Sequence, residues 1–227
     1  MNPTPIDGHR AKSGLRRTLS NVGKHLGFAY YDMEFSLTDL SRPKDMSDPS
    51  IDLHAELASE NDMKAIVAAL PESPRYRFDQ AVEGGGECYV ARYEGQVIGY
   101  GFANSRAIVL LGAELEPLPE GFAYGHNMYL FPEYRGQGLY TTFIRSFDQA
   151  LFSRGNRYSS SLVDSKNSRV KATLKHISIH RVRMPIVCLP GLRPIVLGRG
   201  FRIVREAAGA LEKERVQRSQ SGLAKTQ

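Results

Sequence analysis

The stretch Leu130-Phe131-Pro132-Glu133-Tyr134-Arg135-Gly136-Gln137-Gly138-Leu139-Tyr140 decides how this chain is read. Before it, residues 123–131 form an apolar and aromatic run that reads as a strand and stops at Pro132. After it, residues 137–154 carry Leu139, Phe143, Phe147 and Leu151 on one helical face, with Tyr140 and Ile144 beside them, and Gly155 follows as a stop. The glycines remove Cβ atoms where the backbone must bend and a ligand can come close. The helix that starts there has N–H groups with no intrahelical acceptor, and their positive end is a seat for phosphate oxygens. A Gly-x-Gly turn is also what any tight strand-to-helix connection needs. The strand before it and the amphipathic helix after it favour the anion seat.

Outward from this turn, 87–93 and 96–103 read as two strands joined by Glu94-Gly95, and 107–111 as a further extended piece. Strands are also expected at 28–38, 51–56, 158–163, 182–188 and 194–204, and helices at 59–70 and 168–177. Residues 41–50, 71–86 and 104–122 read as loops. Leu15, Leu19, Val22 and Leu26 give 13–26 the spacing of a short basic helix, suited to docking on the domain or lying on an anionic membrane. From Arg205 a polar helix or tail runs to a Ser/Gln/Lys-rich end that is expected to be mobile. The order β-α-β-β-β-α-β-α-β-β is a mixed α/β layout.

The 227 residues, 41% hydrophobic, suit one domain with tails. No apolar run approaches the ~18–20 residues of a membrane helix, and the N-terminus lacks the apolar core of a secretory signal. Cys88 and Cys188 stand far apart in apolar contexts, which fits neither a disulfide framework nor a metal site. A cytoplasmic location is therefore expected.

The net charge of +6 is unevenly spread. Residues 26–134 hold 7 basic and 18 acidic groups, and residues 135–204 hold 13 basic and 2 acidic groups. Either the two halves present opposite fields to two ligands, or their charges pair with each other. The near-neutral core and the lack of a recognition-helix motif argue against a nucleic-acid partner.

Residues 135–140 resemble motif A of the GNAT superfamily of N-acetyltransferases, Gln/Arg-x-x-Gly-x-Gly/Ala, and residues 130–134 resemble its Val-x-Pro-Glu-Tyr lead. Val163-Asp164-Ser165-Lys166-Asn167 resembles the family's later Val-x-x-x-Asn. The resemblance covers about residues 51–204 and implies a twisted mixed sheet whose fourth and fifth strands part to admit acyl-CoA. It divides the chain into a basic extension (1–25), an acetyltransferase domain (26–204) and a polar tail (205–227). It implies acetyl-CoA, or another short acyl-CoA, as co-substrate and a small-molecule or peptide amine as acceptor. By position, backbone groups of Met128, Tyr129 and Leu130 would bond the pantetheine amides. Arg135, Gly136, Gln137, Gly138, Leu139, Tyr140 and Thr141 would form the pyrophosphate loop. Asn167 would touch the pantetheine or cap the following helix, and Arg169 and Lys171 are within reach of the adenosine phosphate.

The match departs from the family at three places. Tyr140 replaces a small residue, which crowds the helix start unless its ring turns away. Leu162 and Leu174 stand where relatives that acylate protein N-termini carry a Glu base and a Tyr acid. The usual Gly-Phe is absent near Ser178-Ile179. His126 on the fourth strand is the candidate base, with structural packing or a substrate contact as its other roles. Tyr129 is the candidate acid for the thiolate, and Tyr124 a weaker relay. Acyl transfer needs no covalent enzyme intermediate, so neither cysteine is assigned as a nucleophile. A non-catalytic CoA-binding module is the alternative, and the oligomeric state is open, a homodimer among the options.

Overall fold

The computed structural model describes residues 29–41 and 51–223. The helix expected at 13–26, residues 42–50 of an expected loop and the last four residues lie outside that set. The elements are β1 (Ala29–Asp39), β2 (Leu53–Leu57), α1 (Glu60–Ala69), α2 (Glu72–Glu83), β3 (Glu87–Tyr93), β4 (Gln96–Asn104), β5 (Ala107–Leu110), β6 (Ala113–Pro117) and β7 (Phe122–Leu130). A 3-10 turn (Pro132–Tyr134) leads to α3 (Leu139–Ser153), β8 (Tyr158–Asp164), α4 (Ser168–Ile177), β9 (His180–Cys188), β10 (Ile195–Val196) and α5 (Gly200–Leu223). Among the described residues no helix is long and apolar enough to cross a membrane.

Eight strands form one sheet in the order β10-β9-β1-β8-β7-β4-β3-β2, and β5-β6 is a separate hairpin. Every neighbouring pair is antiparallel except β7–β8. Alternation along β3 sends Tyr89 and Ala91 to one face and Cys88 and Val90 to the other. On the first face Leu139, Phe143, Phe147 and Leu151 of α3 bury the stripe legible in the sequence, and α4 packs through Leu174 and Ile177. On the second face Ile66 and Leu70 of α1 and Phe78 and Ala81 of α2 cover Tyr100 and Phe102. There too α5 and the hairpin cover Phe35, Leu37 and Tyr124. The result is a mixed sheet between two helical layers.

Three expectations are corrected. Residues 71–86 are mostly the helix α2. Its Pro74 falls in the first turn, where the backbone N–H would have no helical acceptor, so the ring costs little there. Residues 104–122 hold the β5–β6 hairpin, whose turn Leu111-Gly112 has φ of 52° and 78°. The strand expected over 194–204 is two residues long and gives way at Gly200 to a helix. Phe201, Val204, Ala208 and Leu211 are spaced for a helical face, and that face packs on the core.

Phe147 touches the sheet at its centre: its ring meets Tyr89 edge-on at 5.1 Å and leaves Gly125 no room for a Cβ without a shift. Phe147→Ala should cost about 3–5 kcal/mol, read as a lower midpoint in urea unfolding with an unchanged slope.

Candidate active site

The parallel pair β7–β8 is short. It pairs Phe122 with Tyr158, Ala123 with Ser159 and Tyr124 with Ser160, and there the ladder ends. Both strands continue, β7 to Leu130 and β8 to Asp164, with a gap between them. On its other edge β7 carries a bulge. Tyr129 pairs with Tyr100 and His126 with Phe102, so Asn127 and Met128 together oppose Gly101. Asn127 takes a φ of 51°, which Asn tolerates better than most residues, and its Nδ2 donates to the Arg77 carbonyl of α2 at 3.0 Å. The extra residue interrupts the β7–β4 ladder, and the Asn127 amide ties that point to α2.

Three adjacent cavities lie along this gap. At the α3 start, a cavity of about 380 Å³ is lined by Met128, Leu130, Gly136, Gly138, Thr141, Asn167 and Arg169. Within the gap, a cavity of about 270 Å³ shares Met128, Tyr140, Asn167 and Val170 with it. On the opposite sheet face, one of about 460 Å³ lies between α2 and the hairpin and shares Arg77, His126, Asn127 and Leu162 with the gap.

The glycine loop has the geometry of an anion seat. Gly136 and Gly138 have φ of 80° and 77°, a region that penalises any side chain, and nothing lies within 4 Å of where a Cβ would stand. Gly138 begins α3 with no side-chain cap, so the helix's first N–H groups are unclaimed by side chains. Gln137 Nε2 closes the loop on the Glu133 carbonyl at 2.9 Å. Arg135 Nε donates to the Leu130 carbonyl at 2.9 Å and its guanidinium lies 4.8 Å from the Tyr129 ring centre, so it braces the strand-to-loop corner. Leu139 is buried in the core and offers the loop only its backbone. The Thr141 hydroxyl is 3.4 Å from that of Thr173, linking α3 to α4.

The remaining candidates divide. Asn167 caps α4 by accepting from Val170 N at 3.2 Å while lining both the loop cavity and the gap. Tyr140 packs against the cluster of Ile144, Leu174 and Ile177 while lining the loop cavity, and burial pushes its phenol up to about 12. Lys171 is not free to reach a phosphate, because Nζ donates to the Ser165 carbonyl at 3.0 Å and pairs with Glu34 at 3.4 Å. Arg181 pairs with Glu34 as well. Cys88 is buried, and desolvation with a contribution from Asp62 pushes its thiol up to about 12.

His126 and Tyr129 are separated by the bulge and are not brought together as a base–acid pair. Tyr129 stacks on Tyr100 at 5.5 Å, against the layer of α1 and α2. His126 lies between Tyr124, stacked at 5.1 Å, and Phe102 at 5.9 Å. Its Nε2 is enclosed without a partner, close to Gly86, which leaves Nδ1 as the nitrogen available to a ligand. Desolvation lowers its pKa from 6.5 to about 4, so the ring is neutral at neutral pH. The bulge itself was missed in the sequence; an Asn inside an aromatic strand was the only signal.

A sequence model of the acetyltransferase (GNAT) family matches residues 53–176. The chain belongs to this family. The matched span runs from β2 to α4 and holds the loop, the gap and the bulge. Family members carry out acyl transfer in general. Among solved structures, the chain resembles a glucosamine N-acetyltransferase region of a fungal multi-domain β-N-acetylglucosaminidase (TM-score 0.51, 14% identity, 80% of this chain, 23% of that one). It also resembles a functionally unknown conserved protein from Staphylococcus epidermidis (0.48, 16%, 81% and 68%). A GCN5-related N-acetyltransferase from Sphaerobacter thermophilus matches at 0.44, 14%, 80% and 58%. Such identities speak to the GNAT fold alone. No curated protein sequence matches the chain.

The buried imidazole makes GNAT-fold stability depend on pH. Between 6.5 and about 4 the unfolded chain binds a proton that folded His126 does not, so stability falls as pH drops through that window and is unaffected above it. The gap corresponds to at most about 3 kcal/mol. Urea titrations at neutral and mildly acid pH should show a smaller acid loss in His126→Phe than in wild type.

Proposed function

We propose that the protein transfers an acetyl or other short acyl group from acyl-CoA to an amine acceptor. The observation that carries this reading is the row of three adjacent cavities, from the uncapped glycine loop, through the gap between β7 and β8, to the other sheet face, each sharing wall residues with the next. The backbone amides of residues 136–141 hold the pyrophosphate, with Arg135 and Gln137 bracing the loop. Beyond Tyr124 the β7 edge has no β8 partner. Backbone groups of Met128 and the Leu130 N–H are therefore open to pantetheine amides, like an added strand, while Tyr129 pairs with Tyr100 and the Leu130 carbonyl is held by Arg135. Asn167 contacts the arm where it enters the gap.

Acyl-CoA supplies the activated thioester. The neutral amine nitrogen attacks its carbonyl carbon, the new C–N bond forms, and the C–S bond breaks. The nitrogen gives up a proton and the departing thiolate takes one, leaving amide and free thiol. The bulge backbone is the donor for the transient oxyanion. His126 Nδ1 is the acceptor for the amine's proton, directly or through water. Its low basicity makes it a weak base for an alkylammonium with pKa near ~10.4, so the amine's own ionisation governs the pH profile. Turnover then rises with pH above neutrality and shows no step near the ordinary histidine value.

Calorimetry with acetyl-CoA and a thiol-release assay over an amine panel test the reading. Gly138→Glu puts a carboxylate in the phosphate seat and should abolish binding; equal binding by the variant would refute the loop assignment. His126→Ala should lower kcat by roughly 10²-fold, the low end for general acid–base catalysis, with acetyl-CoA binding unchanged. Tight acetyl-CoA binding with no thiol release from any amine would leave a CoA-binding module in place of the enzyme.

A further inference from the structure

The wall of the acceptor-side cavity contains a residue that its own fold disfavours. The β5–β6 hairpin turns through Leu111-Gly112 between the paired residues Leu110 and Ala113. Both turn residues have positive φ, 52° and 78°, the mirror-image turn for which Asn-Gly is the preferred pair. A leucine in that conformation is disfavoured because its Cβ crowds the following carbonyl. Its side chain recovers nothing from the core: Leu111 is 59% exposed, whereas Ile108 at the root of the hairpin is fully buried. The tip instead lines the cavity shared with His126, Asn127 and Leu162. Val109 and Leu110 extend the same apolar wall, and a bulge between Ile108 and Val109 re-aims the strand on its way to the tip.

The hairpin is anchored so that the tip is held over the cavity. Asn104 Oδ1 accepts from the backbone N–H of Arg106 and Ala107 at 2.8 and 3.1 Å, Leu118 N donates to the Arg106 carbonyl, and Arg205 of α5 pairs with Glu116. The cavity's charged residues cancel: Arg77 and Arg106 stand against Glu83 and Glu114. A rim with both signs in equal number does not sort amines by charge, which leaves the apolar wall as the selective surface.

We propose that Leu111 is a specificity-determining residue that selects amines carrying an apolar chain next to the nitrogen. The inference rests on the acyl-transfer reading of the same cleft. The amine nitrogen reaches the gap beside His126, and its aliphatic or aromatic portion lies under the hairpin tip against Leu111, Leu110 and Val109.

The test uses n-hexylamine and 2-(2-aminoethoxy)ethanol, which match in length and differ in polarity, with acetyl-CoA saturating. Wild type should prefer n-hexylamine in kcat/KM by roughly ten- to a hundred-fold. Leu111→Asn is nearly isosteric and suits the turn better, so its melting temperature should hold or rise. Its KM for n-hexylamine should nevertheless rise roughly ten-fold, with kcat and the values for the polar amine and acetyl-CoA unchanged. A fall in melting temperature with unchanged KM for n-hexylamine would assign the leucine to the fold and overturn the proposal, as would equal loss for both amines. If no amine is acetylated, the acyl-transfer reading fails separately. Equilibrium dialysis of n-hexylamine against wild type and Leu111→Asn then decides the hairpin's role, equal binding overturning it.

Discussion

The β7–β8 pair can form its ladder over only three residues, and the rest of the cleft depends on that limit. A parallel pair that continued would fill the gap with its own hydrogen bonds and close the sheet. What stops it is local. Asn127 adds a residue to β7, bends the strand and gives its side-chain amide to the backbone of α2. From α3 and α4, Tyr140, Ile144, Leu174 and Ile177 then pack near the parted strands and keep them apart. The open edge is stable only where some other polar group can meet its backbone, as an extended ligand arm does.

The two cavities beyond the gap are unlike because the sheet faces carry different covers. One face meets the amphipathic stripe of α3 and the glycine loop, so its ligand surface is backbone donors at a helix start. The other meets α2 and a hairpin that joins no other strand. An isolated hairpin is marginal by itself, so its position depends on Ile108, Leu118 and the Asn104 anchor. His126 sits where the faces communicate, and the aromatic rings that hold it also strip it of water. Orientation and low basicity therefore have one cause.

The charge asymmetry along the chain resolves in part into pairing. Asp32, Glu34, Asp39, Glu87 and Glu116 of the acidic half bond to Arg183, Arg181, Arg157, Arg154 and Arg205 respectively. Burial would raise the Asp39 carboxyl, but hydrogen bonds from Ser41 and Arg157 outweigh it and hold the group below its ordinary value. Of these pairs, the exposed Arg154–Glu87 contributes little, about 0.2–1 kcal/mol.

Local sequence determined what local physics controls. The strand–turn–helix at residues 130–140 was legible because a helix stripe, a strand run and two glycines each leave a pattern within a few residues, and the loop has the conformation those glycines permit. The helix α2 and the face of α5 were also written in short-range spacing, but Pro74 and the apolar run after Pro194 obscured them. Tertiary structure alone decided the bulge, the end of the β7–β8 ladder, the enclosure of His126 and the hairpin's position over the cavity beside it. Each depends on groups far apart in sequence, such as Asn127 with Arg77 or Gly86 with His126, and no pattern along one segment records what another segment brings against it.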